Sequence, residues 1–205
     1  MTLRAAHAAA FEDCISEGGV AVFPADTVYG LACDPGSEDA VARLYALKRR
    51  VPDKPAAVMF FSVELALAAL PELGRRTRVA LDALLPGGVT LLLPNPARRF
   101  ALACGPDRET LGLRVPLLPP SAAALGAVRW PVLQSSANRA GGPDARRLED
   151  VPAPIRQGAD MLLDGGELPG TPSTVIDLRA YEAEGAWRIV RQGALDADEV
   201  AAALR

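Results

Sequence analysis

Four short clusters in this chain carry side chains able to do chemistry. Lys48-Arg49-Arg50, with Lys54 close behind, sets three consecutive cations at the end of an amphipathic stretch. Such a group complements a helix C-terminus. It equally suits a triphosphate, with Lys as a compact point charge and Arg as a planar fork. Ser135-Ser136-Ala137-Asn138 follows an apolar run, and its hydroxyl and amide groups either hold phosphate and ribose oxygens or close an Asx or Ser turn. Pro24-Ala25-Asp26-Thr27-Val28-Tyr29-Gly30 is a polar loop directly after a buried strand, where α/β proteins place ligands. Read alone, it is also an ordinary turn with a capping Asp and a satisfied Thr. The fourth cluster pairs Pro172-Ser173-Thr174 with Arg191-Gln192-Gly193, each beside a predicted strand. No Walker-type phosphate loop and no GxGxxG occur, so the common nucleotide folds are not indicated.

The missing residue types narrow the chemistry further. His7 is the only histidine and lies in an Ala-rich helical stretch, which argues against His-based triads and multi-His metal sites. Cys14, Cys33 and Cys104 lie far apart without paired spacing and read as reduced, buried thiols. Any reaction must therefore run on Lys, Arg, Ser, Thr, Asn, Asp and the backbone. A formal charge of −3 with few aromatics argues against broad nucleic-acid binding and base stacking. Of the 22 basic residues only Lys48 and Lys54 are lysines.

The elements that must position these clusters follow from periodicity. Leu3, Ala10, Phe11, Cys14 and Ile15 recur at helical spacing over Thr2 to Glu17, and Gly18-Gly19 stops that helix. Val20 to Phe23 reads as a buried strand ended by Pro24, with a loop from Ala25 to Gly30. Ser37 starts a helix whose stripe is Val41, Leu44 and Tyr45 and whose end falls near Lys48 and Arg49. Ala56 to Phe61 is a strand, followed by helices over Val63 to Leu70 and Arg75 to Leu84. In Thr110 to Val115, Leu111, Leu113 and Val115 share one face; Thr110, Gly112 and Arg114 share the other. Further strands are predicted at Val89 to Leu93, Val132 to Gln134, Met161 to Leu163, Val175 to Leu178 and Arg188 to Val190, and a short helix from Ala197. Arg146 to Pro154 reads as the loosest surface connection. The mixture predicts one α/β domain over residues 1–205, a twisted mixed sheet flanked by helices. No apolar run approaches the ~20 residues of a membrane span, and the N-terminus lacks a signal-peptide pattern, so a cytoplasmic protein is expected.

Taken together, the clusters resemble one family, the YrdC-like threonylcarbamoyl-AMP synthases. The resemblance rests on FPADTVYGL (Phe23–Leu31), LKRR with DKP (Leu47–Arg50, Asp53–Pro55), PGGVTLLL (Pro86–Leu93), LRVP (Leu113–Pro116), SSANRAGGP (Ser135–Pro143), PSTVIDL (Pro172–Leu178) and IVRQGAL (Ile189–Leu195). These run in the family's order over nearly the whole chain. Ala25 stands where the family usually has Thr, and Leu85 where an aromatic commonly precedes the Pro-Gly turn. The chain resembles the short form, without the extra C-terminal domain.

The resemblance implies a reaction joining L-threonine, bicarbonate or carbon dioxide, and ATP into threonylcarbamoyl-AMP and pyrophosphate for transfer-RNA modification. It implies that Lys48 and Arg50 are catalytic and bind phosphates, that Ser136, Asn138 and Arg191 hold the nucleotide, and that magnesium arrives with ATP. Thr27, Tyr29, Arg114 and Ser173 are its candidates for the threonine pocket, Arg114 being read as a lone cation for the substrate carboxylate. Partners beyond the substrates would be transient contacts with the tRNA threonylcarbamoyl-transfer machinery, without membrane or strong direct nucleic-acid binding. The rivals are a carbamoyl-adenylate-forming domain and a non-catalytic RNA-binding protein.

Overall fold

The computed structural model describes residues 2–51 and 53–205. Nine strands form one sheet among them. β1 (Ala21–Pro24), β2 (Tyr29–Cys33), β3 (Ala57–Met59), β4 (Val89–Pro94) and β5 (Thr110–Arg114) come first in the chain. β6 (Val132–Ser136), β7 (Met161–Leu162), β8 (Thr174–Asp177) and β9 (Arg188–Arg191) follow. Their order across the sheet is β7-β1-β2-β6-β3-β5-β4-β8-β9. Three neighbouring pairs are parallel, β1 with β7, β3 with β5 and β4 with β8; the others are antiparallel. This is the mixed α/β sheet that the sequence predicts. The helices are α1 (Ala5–Ser16), α2 (Glu38–Lys48), α3 (Val63–Ala69), α4 (Arg75–Leu84), α5 (Ala101–Cys104), α6 (Ala153–Gly158), α7 (Tyr181–Glu184) and α8 (Ala197–Ala203).

The two sheet faces are dressed differently, and this creates the site. On one face Leu31, Val58, Leu91, Leu111, Leu113 and Ile176 meet the apolar sides of the helices, including Leu44 of α2, Leu81 of α4 and Val200 of α8. The other face is covered only in part. There α1, through Ala8, Phe11 and Ile15, and the 3₁₀ turn Pro120–Ala127 pack on Phe23, Ala32, Met59 and Val132. Phe11 lies 5.3 Å from Phe23 and 5.9 Å from Phe61, centroid to centroid. Beyond that patch the same face continues as the ladder row Gln134, Ala57, Gly112, Leu92. Small residues at its centre keep the floor low, and it lines a cavity rather than a core.

Several local expectations change. α1 begins at Ala5 rather than Thr2, with His7 Nδ1 accepting the Arg4 N–H at 2.9 Å; Ala8, not Ala10, joins Phe11 and Ile15 inside. Pro24 is the last residue of β1, where its missing N–H costs least, and β2 starts at Tyr29, inside the expected loop. Arg146 to Pro154 is not loose: Val151 is buried, Leu148–Asp150 forms a 3₁₀ turn, and Arg146 and Arg147 both pair with Glu167, at 2.8 and 2.6 Å. The thiols are free. Cys33 and Cys104 are buried while Cys14 is only half-buried, and burial pushes the Cys33 thiol up to about 12.

Candidate functional site

A cavity of about 470 Å³ opens over this uncovered floor. Arg50, Thr27, Arg114, Ser136, Ser173 and Arg191 all line it, as does Asp144. The four sequence clusters, which lie between Pro24 and Gly193 in the chain, therefore converge on one wall system. Each is delivered by a strand or helix end. Ser37 caps α2, its Oγ accepting the Ala40 N–H at 3.2 Å. At the other end Arg49 takes the left-handed conformation (φ 51°) and ends the helix. That turn lifts Arg50 off the helix to the cavity, where its Nη2 donates to Pro55 O at 2.6 Å and its guanidinium lies 5.8 Å from the Tyr45 ring centroid. Ser173 and Arg191 are held together because Gly193 admits the Pro172 carbonyl, with which a Cβ would collide. Arg191 Nη2 donates to Ser173 O at 2.8 Å and to Ser173 Oγ at 3.2 Å, and Ser173 Oγ lies 2.8 Å from Thr90 Oγ1.

Arg114 is not the lone cation that the sequence leads one to expect. Its Nη2 donates to Asp26 Oδ1 at 2.6 Å, with both side chains 4% exposed. Thr27 Oγ1 lies 3.5 Å from the same nitrogen, and Nη1 donates to Gln134 Oε1 at 3.2 Å. The reason is geometric: β2 and β6 carry the 24–30 loop and Gln134 alongside β5's polar face, so an acid 88 residues away in sequence meets the guanidinium. Three buried side-chain atoms lack a hydrogen-bond partner among the described residues: Asp26 Oδ2, Arg50 Nε and Arg114 Nε. An orphaned buried polar group costs about 1–3 kcal/mol, and all three belong to this one site.

Lys48 and Asn138 form the frame behind the wall. Lys48 is 1% exposed, and its Nζ donates to Ser136 O, to Asn138 O at 2.8 Å and to Asn138 Oδ1 at 3.0 Å. Burial, with Arg50 nearby, lowers its pKa to about 8 while Asp144 pulls it upward. Asn138 Nδ2 donates to Gly142 O at 2.6 Å and to Asp144 Oδ1 at 3.2 Å, and Ser136 Oγ donates to Asn138 Oδ1 at 2.7 Å. The expected phosphate-binding ammonium and nucleotide-binding amide thus tie α2 to the 136–144 loop, and neither lines the cavity.

Tyr29 also stands apart from the cavity. It is fully buried, its hydroxyl donating to Gly166 O at 2.8 Å and accepting the Gly165 N–H at 3.0 Å. Burial pushes the phenol up to about 12, the Gly165 N–H opposing. As the first residue of β2 its side chain joins the helix-covered face, while a loop residue would have been free to turn outward. Tyr29→Phe should lower stability by about 1–3 kcal/mol through the stranded Gly165 N–H and leave the threonine requirement unchanged; thermal melts and substrate titration check this.

The sequence reading missed Gln134 and Thr90 as cavity residues. Alternation in β4, where Val89, Leu91 and Leu93 are buried, marks Thr90 as facing the other way. No comparable signal marks Gln134.

Comparisons with known proteins add to this geometry. The Sua5/YciO/YrdC family model, described as "Telomere recombination", matches residues 13–193. A threonylcarbamoyl-AMP synthase of Chromohalobacter salexigens is 37% identical over 173 residues, covering 82% of this chain and 90% of that protein. One from Xanthomonas campestris pv. campestris is 34% identical over 169 residues, with 80% and 89% covered. The structure of P. abyssi Sua5 complexed with L-threonine superposes with a TM-score of 0.85 at 26% identity, over 99% of this chain and 58% of that one. E. coli YciO shares the fold, with a TM-score of 0.78 at 24% identity over 96% of this chain and 94% of that one.

Proposed function

The chain belongs to the Sua5/YciO/YrdC family, and from that premise we propose that it makes threonylcarbamoyl-AMP for transfer-RNA threonylcarbamoyladenosine modification. One observation carries the reading. A single cavity holds two guanidiniums without a carboxylate partner among the described residues, Arg50 and Arg191, beside a buried, charge-neutral Arg114–Asp26 pair. The first two suit a triphosphate and the third an amino acid.

Threonine's neutral amine adds to carbon dioxide with loss of its proton to solvent, or to bicarbonate with loss of water, and gives a carbamate. A carbamate oxygen attacks the α-phosphorus of ATP, and the bond to the β-phosphate breaks as pyrophosphate leaves. Little covalent work falls to the protein, since alignment and charge neutralisation carry phosphoryl and nucleotidyl transfer. Arg50 and Arg191 neutralise the phosphates, and Ser136 Oγ offers a hydroxyl to the nucleotide. ATP enters as its magnesium complex, the ion being part of the substrate. Arg114 takes the threonine carboxylate on its unpartnered Nε side, with Thr27 and Ser173 alongside. Lys48 and Asn138 serve by holding Ser136 and its loop in place. The product passes to the tRNA threonylcarbamoyl-transfer machinery in the cytoplasm; no described helix is long and apolar enough to cross a membrane.

Purified protein with magnesium, ATP and bicarbonate should release pyrophosphate only when threonine is present. Serine, lacking one methyl, should support release at a kcat/KM lower by about 10-fold or more. Release at equal rate without threonine, or release driven by carbamoyl phosphate instead, would overturn the reading.

A further inference from the structure

The Asp26–Arg114 pair calls for a reason beyond stability, because desolvating two charges commonly consumes what their attraction returns. Its electrical effect is the clue. Arg50 and Arg191, in the same cavity, have no acidic partner among the described residues; Arg50 leans on Pro55 O and the Tyr45 ring, and Arg191 on Ser173. Arg114 has its charge cancelled at 2.6 Å with both side chains almost wholly buried, whereas the other paired arginine of the cavity, Arg179, meets Asp177 at 2.8 Å with its own side chain 40% exposed. The cavity is therefore divided into a region of net positive charge and a neutral one.

We propose that Asp26 is the specificity-determining residue that makes the Arg114 subsite take a zwitterionic amino acid and refuse phosphate anions. This rests on the reading of Arg114 as the threonine-carboxylate residue. A zwitterion carries no net charge, so its carboxylate can reach the guanidinium while its ammonium offsets the acid behind. A phosphate brings only negative charge and meets Asp26 as a like charge, which in a poorly solvated site is strongly unfavourable. The discrimination matters here because ATP and the pyrophosphate released from it share the cavity with threonine. Without Asp26 three uncompensated guanidiniums would line one space, and pyrophosphate could bridge into the amino-acid position.

Neutrality, rather than Asp26 as such, is then the operative quantity, and it can be relocated. Gln134 Oε1 already accepts from the opposite nitrogen, Arg114 Nη1, at 3.2 Å, so a carboxylate at 134 would cancel the same charge from the other side. The experiment is calorimetric titration of threonine into the intact protein, with and without inorganic pyrophosphate, for wild type, Asp26→Asn, and Asp26→Asn/Gln134→Glu. Wild type should bind threonine with an affinity that pyrophosphate does not change. Asp26→Asn should bind it roughly 10-fold or more weakly, and pyrophosphate should compete. The double variant should regain resistance to pyrophosphate, and it answers the question even where the single variant folds poorly. Competition persisting in the double variant would overturn the proposal, as would Asp26→Asn binding threonine weakly yet indifferently to pyrophosphate, the signature of a merely structural pair. Wild type failing to bind threonine would instead overturn the functional reading beneath it.

Discussion

Arg114→Gln should melt far below the wild-type protein, and the deficit should be repaired by a second substitution that removes a charge. Glutamine can occupy much of the guanidinium's space, but it leaves the Asp26 carboxylate buried beside Thr27 with no cation. Its Oδ1 loses the 2.6 Å donor, and its Oδ2 already has none. Breaking one side of a buried pair costs about 3–5 kcal/mol. For a domain of this length that corresponds to a fall in Tm of roughly 6–20 °C. Asp26→Asn/Arg114→Gln places two neutral amides against each other and should recover most of the loss. Threonine binding should not recover, because the carboxylate partner is gone in both variants. ATP binding by the folded fraction should be kept, since Arg50 and Arg191 are untouched. Thermal melts with separate titrations of threonine and ATP check this. A double variant that regains threonine affinity along with stability would show that Arg114 is a structural residue only.

Arg114 also illustrates how much the sequence discloses. The alternation in β5 places Thr110, Gly112 and Arg114 on one face, and all three do line the cavity. The ends of α2 are likewise legible, because a Ser cap and a run of cations are local signals; the start of α1, after Arg4, carries no such cap and is not. What no local pattern carries is which groups meet across the sheet. Asp26 and Arg114 are brought together by the placement of β2, β6, β3 and β5 as neighbours, and that order follows from long-range packing. The placement of Tyr29 away from the cavity is hidden from local pattern for a related reason. As a loop residue Tyr29 would be free to turn toward the cavity, whereas as the first residue of β2 it obeys the strand's alternation and joins the face of Leu31 and Cys33. Lys48 is conspicuous in its motif, but a cation beside Ser136 and Asn138 says nothing of whether it points at a ligand or at their carbonyls.

That last distinction sets the expectation for Lys48→Arg. On sequence alone the variant would fold normally and lose turnover, because a compact ammonium would be replaced by a broad fork. The structure changes the expected order of events. Lys48 Nζ sits inside three oxygens, of Ser136, Asn138 and the Asn138 amide, while the Lys48 carbonyl accepts the Ala140 N–H at 2.9 Å. An ammonium can direct three N–H bonds at oxygens gathered around a point; a planar guanidinium cannot. Forcing the larger group into a site 1% exposed should cost about 1–3 kcal/mol by overpacking. The strain falls on the 136–144 segment, where Ser136 and Asp144 line the cavity. Lys48→Arg should therefore lose stability and ATP affinity together, with faster amide hydrogen exchange confined to residues 136–144. Lys54→Arg, on an exposed side chain, should change stability by less than about 0.5 kcal/mol. A Lys48→Arg protein that melts like wild type, exchanges like wild type and still fails to bind ATP would mean the opposite. The ammonium would then leave its carbonyl cage to meet the phosphates directly, and the loop would not depend on it.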